Sequence, residues 1–149
     1  MSVAATAAFL CMTLVIHEEA RGEPIAVKYE VGHVVKNRMD SRQYPDTCEA
    51  VVLQPKQFSW TKTKGVQDEY DLRQRYYRVL DSLDTPQKRL SFAASQRAAD
   101  EVLSGKHKSR IGAALHFVTR GHSTHWASKF KRHTIAGMDF LLPRKKKNA

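Results

Sequence analysis

From Val3 to Ile16 the chain carries no charged residue, no glycine and no proline. Such a run reads as a helix buried on most of its circumference, and the rest of the chain has to pack around it. It is too short to cross a bilayer and lacks the basic residues that open an export signal. The expectation is therefore a central first helix over Val3–Ala20 rather than a leader. The run ends abruptly in His17-Glu18-Glu19-Ala20-Arg21-Gly22-Glu23-Pro24, where three carboxylates and an arginine crowd the point at which the helix stops. Gly22 is the stop signal. Glu19 lies four residues after Val15 and seven after Met12, so it shares a stripe with apolar neighbours. A carboxyl group placed there loses water, which favours its neutral form and raises its pKa. The alternative is that Glu18, Glu19 and Arg21 simply form the solvated last turn of a helix.

Pro24 suits the first position of a second helix, in which Val27, Val31, Val34 and Val35 recur at helical spacing while Lys28, Glu30, Lys36 and Asn37 fall on other faces. Gly32 inside it points to a close helix contact. Ser41–Thr47 reads as a loop, with Asp46 or Thr47 capping a short helix that ends before Pro55. Gln57-Phe58-Ser59-Trp60 sets aromatic rings beside hydrogen-bonding groups, a pattern that suits a sugar and equally a core-facing Phe with a surface Trp. Two charged helices follow, near Glu69–Ser82 and from Pro86 to about Leu103, the second with Leu90, Ala93, Ala94, Ala98 and Val102 in helical spacing. After a basic loop, Lys106–Arg110, the period shortens. Ala114–Val118 and Ile135–Leu142 read as extended pieces. The fold class on pattern is mainly α with a small β element, in one domain over residues 1–142 and a basic tail over 143–149.

At 149 residues the chain is the size of one domain. Lys and Arg outnumber Asp and Glu by 25 to 15, so a polyanionic partner or setting is expected. Nucleic acid would satisfy that charge, but no helix-turn-helix, RRM-like or zinc-finger pattern accompanies it. Cys11 and Cys48 have no metal or disulfide spacing. His116, His122, His125 and His133 gather in the last third without the regular geometry of a zinc site. No metal and no cofactor are expected.

Several of these stretches together resemble the SleB/CwlJ-type cell wall hydrolases. The resemblance is carried by Glu19-Ala20-Arg21-Gly22-Glu23-Pro24, by Val34-Val35-Lys36-Asn37-Arg38, by Tyr44-Pro45-Asp46-Thr47 with Val51 through Trp60, and by Ala114-Leu115-His116-Phe117 with Trp126-Ala127. It implies a lysozyme-like, lytic-transglycosylase-like fold, cleavage of the peptidoglycan glycan strand, and Glu19 as the catalytic acid. The expected substrate contacts are Gln57, Ser59, Trp60, His116, Phe117 and Trp126. Arg21, Glu23 and Arg38 are expected to support the site, with Glu23 shaping the turn and holding Arg21 or Arg38. Glu18 is expected to face solvent. The sequence departs from the family where Val118 and Asp139 stand at positions that often hold histidine. The expected partners are glycan strands and the anionic envelope, with no stable membrane insertion and a monomeric chain. A wall-degrading enzyme without an export signal suits a phage lysin, in the host cytoplasm before lysis or carried in the virion.

Overall fold

Thr6 opens the first helix by accepting a hydrogen bond from the Phe9 amide at 3.1 Å, satisfying one of the unpaired donors of the first turn. The computed structural model describes residues 6–144. Helix α1 (Ala7–Ala20) therefore starts at a cap that the apolar pattern did not announce, and the part of the expected helix before Thr6 lies outside the described residues. Every side chain from Leu10 to His17 is buried. A helix apolar on all sides can only be stable if it is surrounded. Here α2 (Ile25–Asp40), α3 (Cys48–Val52), α5 (Glu69–Asp81) and α6 (Pro86–Leu103) all pack on α1. The short α4 (Ser59–Thr63) follows α3.

The second helix keeps the expected stripe, with Val27, Val31, Val34 and Val35 fully buried. Gly32 sits where α2 crosses α1 and α6. A Cβ there would lie 3.2 Å from Ile16 Cδ1 and 3.3 Å from Val102 Cγ2, so glycine lets the helices close. Lys28 and Glu30, expected on outer faces, are buried. The inward face of α6 is Phe92, Ser95, Ala98, Ala99 and Val102, while Leu90 points to solvent. Thr47 caps α3 through the Ala50 amide, and Cys48 and Cys11 meet as buried free thiols, with their sulfurs 2.6 Å apart.

The β element is a three-stranded antiparallel sheet in the order β1-β3-β2, formed by β1 (His116–Thr119), β2 (Phe130–Ile135) and β3 (Met138–Pro143). β2 was not anticipated, because Phe130–Ile135 mixes three cationic or imidazole side chains into a strand whose pattern reads as loop. It pairs with β3 across the tight turn Ala136-Gly137, which the single expected piece Ile135–Leu142 had concealed. Asp139 anchors the unit from within: its carboxylate accepts from Arg132, Thr134 and the Gly121 amide. Burial alone would raise its pKa, but these three hydrogen bonds outweigh burial and hold the carboxyl below its ordinary value. Strand β3 takes in Pro143, one residue past the expected boundary of the tail, and the tail beyond Arg144 lies outside the described residues. No helix among the described residues is long and apolar enough to cross a membrane.

Candidate active site

The last turn of α1 is held open by a lysine. Lys28 Nζ donates to the carbonyls of Ala20 at 2.8 Å and Arg21 at 3.2 Å, groups that helix termination leaves without partners. Ser91 donates to the Arg21 carbonyl as well. With its end fixed from behind, α1 and the turn after it present three carboxylates in three different settings.

Glu18 does not face solvent. Its side chain is 5% exposed and takes two hydrogen bonds from Arg75 of α5, at 2.8 and 3.1 Å, with Arg21 at 3.6 Å. Arg21 is thereby drawn off: it is exposed and lines a separate cavity with His17, Arg75 and Ser91, not the one that holds Glu19. The expectation that Arg21 supports the site is corrected accordingly.

Glu19 is half-buried and lines a cleft of about 320 Å³ with Glu23, Phe117, Val118, Thr119, His122, Gly137 and Met138. Burial is the main cause of its raised pKa, and the neighbouring Glu18 charge adds to it. The Trp60 indole N–H and the Arg38 guanidinium act in the opposite direction. The carboxyl group is thus biased towards holding its proton, yet its ionised form has two groups ready to receive it. That is the combination required of an acid that must later act as a base.

Glu23 departs from its expected role. It contacts neither Arg21 nor Arg38; its Oε2 accepts from the Gly137 amide at 3.2 Å, linking the turn after α1 to the β2–β3 turn across the cleft. A Cβ at Gly137 would fall 2.1 Å from Glu23 Oε1, so glycine admits the carboxylate. The cleft therefore contains a second carboxylate.

Arg38, expected to support the site, is placed beside it. Buried at the end of α2, it donates to the Leu115 carbonyl at 2.8 Å and to Gln57 Oε1 at 3.2 Å, and it lies against the rings of Tyr44 and Phe58. Its second terminal nitrogen is 3.5 Å from His116 Nδ1. Burial, then the Arg38 charge, lower the His116 pKa and favour the neutral imidazole. Gln57 is exposed but spends its carbonyl on Arg38, and Ser59 is exposed at the first position of α4. Neither lines the Glu19 cleft.

Trp60 also departs from its expected role. It is 6% exposed, and its N–H closes no hydrogen bond of regular geometry. It is a buried neighbour of Glu19, not a platform for a sugar ring. Trp126 is the exposed aromatic of this region, 46% exposed, and meets His116 and Phe130 edge-on at centroid distances of 5.6 and 6.3 Å. Of the expected substrate contacts only Phe117 lines the cleft itself. Val118, Thr119, His122, Gly137 and Met138 were missed as cleft residues; Val118 and His122 draw notice in the sequence for other reasons, Thr119 adjoins the expected His116-Phe117 segment, and Gly137 and Met138 come close only through the pairing of β3 with β1. A larger concavity of about 900 Å³, on β2 and β3 between Ser128 and Arg144, contains no carboxylate.

The profile of the cell wall hydrolase family matches residues 22–141, beginning just after the turn that carries Glu19. No curated protein is significantly similar to the chain. Two solved structures share its fold. One is the catalytic domain of the germination-specific lytic transglycosylase SleB from Bacillus anthracis, 19% identical, with a TM-score of 0.64 over 95% of this chain and 98% of that one. The other is the catalytic domain of the Bacillus cereus SleB protein, 20% identical, with a TM-score of 0.65 over 91% of this chain and 89% of that one. The helical body with its small sheet is thus the lysozyme-like, lytic-transglycosylase fold expected from the sequence.

Proposed function

The chain belongs to the cell wall hydrolase family, and from that premise we propose that it cleaves peptidoglycan glycan strands at the MurNAc–GlcNAc β-1,4 bond as a lytic transglycosylase, with Glu19 as acid and then base. The observation that carries this reading is the environment of Glu19: a half-buried carboxyl group with a raised pKa, in a cleft, flanked by Arg38 and the Trp60 N–H.

The steps follow from that environment. Protonated Glu19 donates its proton to the glycosidic oxygen as the bond to the MurNAc C1 breaks, and the oxocarbenium-like carbon is left to be satisfied. Glu19, now a carboxylate favoured by Arg38 and Trp60, accepts the proton of the sugar's own C6 hydroxyl as that oxygen bonds to C1. The product is a 1,6-anhydro ring, and Glu19 is protonated again. Phe117 and the His116–Trp126–Phe130 aromatic group offer the apolar surface on which sugar faces pack.

A second reading rests on Glu23. Because it shares the cleft with Glu19, it is placed to activate a water or stabilise the carbocation, which would make the enzyme a hydrolytic muramidase. Substitution separates the two. In the transglycosylase reading Glu19→Gln abolishes cleavage of purified peptidoglycan with the fold intact, while Glu23→Gln keeps a measurable rate and the same product. Loss of cleavage in Glu23→Gln comparable to that in Glu19→Gln would favour the muramidase, and an active Glu19→Gln protein would contradict both.

A further inference from the structure

Two turns before Arg38 on α2 lies a second group of polar side chains that the glycan-cleaving site does not use. Glu30 is fully buried. Its carboxylate accepts from the Arg110 amide at 3.0 and 3.2 Å and from Ser109 Oγ at 3.3 Å, all of them neutral donors. No ion pair among the described residues includes it. A carboxylate taken out of water without a cation is costly, and its presence asks for positive charge. One turn further, His33 is 8% exposed, and its Nε2 lies 2.9 Å from His107 Nδ1 on the loop after α6. Tyr29 stacks on the His107 ring with centroids 3.8 Å apart and fixes its plane.

We propose that Glu30, His33 and His107 form a binding site for a divalent transition-metal ion, with zinc the best match, ligated by a Glu30 carboxylate oxygen, His33 Nε2 and His107 Nδ1. One donor atom from each residue lies within 4.8 Å of the others; bonds of about 2.0–2.2 Å in a tetrahedral shell need donors roughly 3.3–3.6 Å apart, so small side-chain shifts bring the three onto one ion. Two imidazoles and a carboxylate select zinc and its first-row neighbours over calcium or magnesium, which take all-oxygen shells. Metal ligation needs neutral imidazole. Burial, then the nearby His107, lower the His33 pKa to about 4, so it is neutral at neutral pH. The hydrogen bonds from Arg110 and Ser109 orient the Glu30 carboxylate, as outer-shell partners do at metal sites.

The placement gives such an ion a structural consequence. Along one stripe of α2, Glu30 and His33 hold the loop at 107–110, Asn37 donates to the carbonyls of Gly112 and Ala114, and Arg38 donates to that of Leu115. This ladder delivers β1, and with it His116 and Phe117, to the cleft. An ion at its first rungs would clamp the loop to the helix from the end opposite Arg38. The expectation of no metal rested on His116, His122, His125 and His133, and none of these belongs to the group.

Full-length protein, stripped with chelator and exchanged into chelator-free buffer, is titrated with Zn²⁺ by calorimetry and with Co²⁺ as a spectroscopic probe. The expected result is one ion per chain, a higher thermal midpoint with metal, and a cobalt spectrum of nitrogen–oxygen ligation. His107→Ala, on the loop, and His33→Gln each weaken binding by roughly tenfold or more, while His133→Ala on β2 binds as the parent does. Absence of saturable binding, binding unchanged in His107→Ala, or loss in His133→Ala would overturn the proposal. Should His33→Gln fail to fold, the loop variant decides the matter alone.

Discussion

In the proposed reaction Glu19 carries the chemistry because of what surrounds it, and part of that environment is written in the spacing of Met12, Val15 and Glu19. The rest is not. Arg75, which pairs with Glu18 beside the acid, comes from a helix 57 residues away in sequence. Glu23 reaches Gly137 across 114 residues, which no local pattern reveals. Trp60 looks like a sugar platform in sequence and is a buried neighbour of the acid in the fold. The raised Glu19 pKa sets the pH response. A general acid works in its protonated form, so activity falls as pH rises through that pKa, and the alkaline limb lies above the ordinary carboxylate value of 4.5. Because Arg38 favours the carboxylate, Arg38→Gln shifts that limb to still higher pH, whatever it does to the rate. A pH–rate profile of both proteins checks this; a limb at an ordinary carboxylate value, or a shift to lower pH in the variant, would count against it.

At the scale of elements, five of the six α-helices among the described residues were legible because each has a stripe, a cap or a proline that acts locally, whereas the short α4 lies where the sequence reads as an aromatic strip running into a polar linker. The boundaries of α6 follow directly from such signals, while the cap of α3, open in the sequence between Asp46 and Thr47, is Thr47 in the structure. The strands were half legible, since β2 is a polar strand whose stability derives from pairing with β3 and from the Asp139 hub. The polar face of α2 was least legible: Lys28, Glu30 and Asn37 look like solvent-facing residues until the segments they bind are in place. Gly32 was read correctly as a contact point, and it gives a test of the packing. Gly32→Val forces its side chain into Ile16 and Val102, and overpacking of this kind costs about 1–3 kcal/mol. Chemical denaturation should show that loss, with an unchanged far-UV spectrum below the transition. A variant as stable as the parent would mean that α1, α2 and α6 are not so closely packed.

Over the whole molecule, an apolar first helix dictates the architecture and its charged end dictates the site, so the helix that builds the core also aims the acid. The same burial makes the fold sensitive to acid. His17 on α1, packed against Phe92 of α6, has its pKa lowered to about 4, first by burial and then by Arg21. The unfolded chain therefore binds one more proton at this position between about pH 6.5 and 4, and stability falls as pH drops through that window. His17→Gln should flatten the dependence, read from thermal midpoints across that range; an identical slope would place the acid sensitivity elsewhere. The central claim, that one carboxyl group serves twice and no water enters the reaction, is tested most directly by digesting purified peptidoglycan in ¹⁸O-water and analysing the muropeptides by mass spectrometry. The account predicts 1,6-anhydro products that carry no label, and reducing ends labelled at C1 would contradict it.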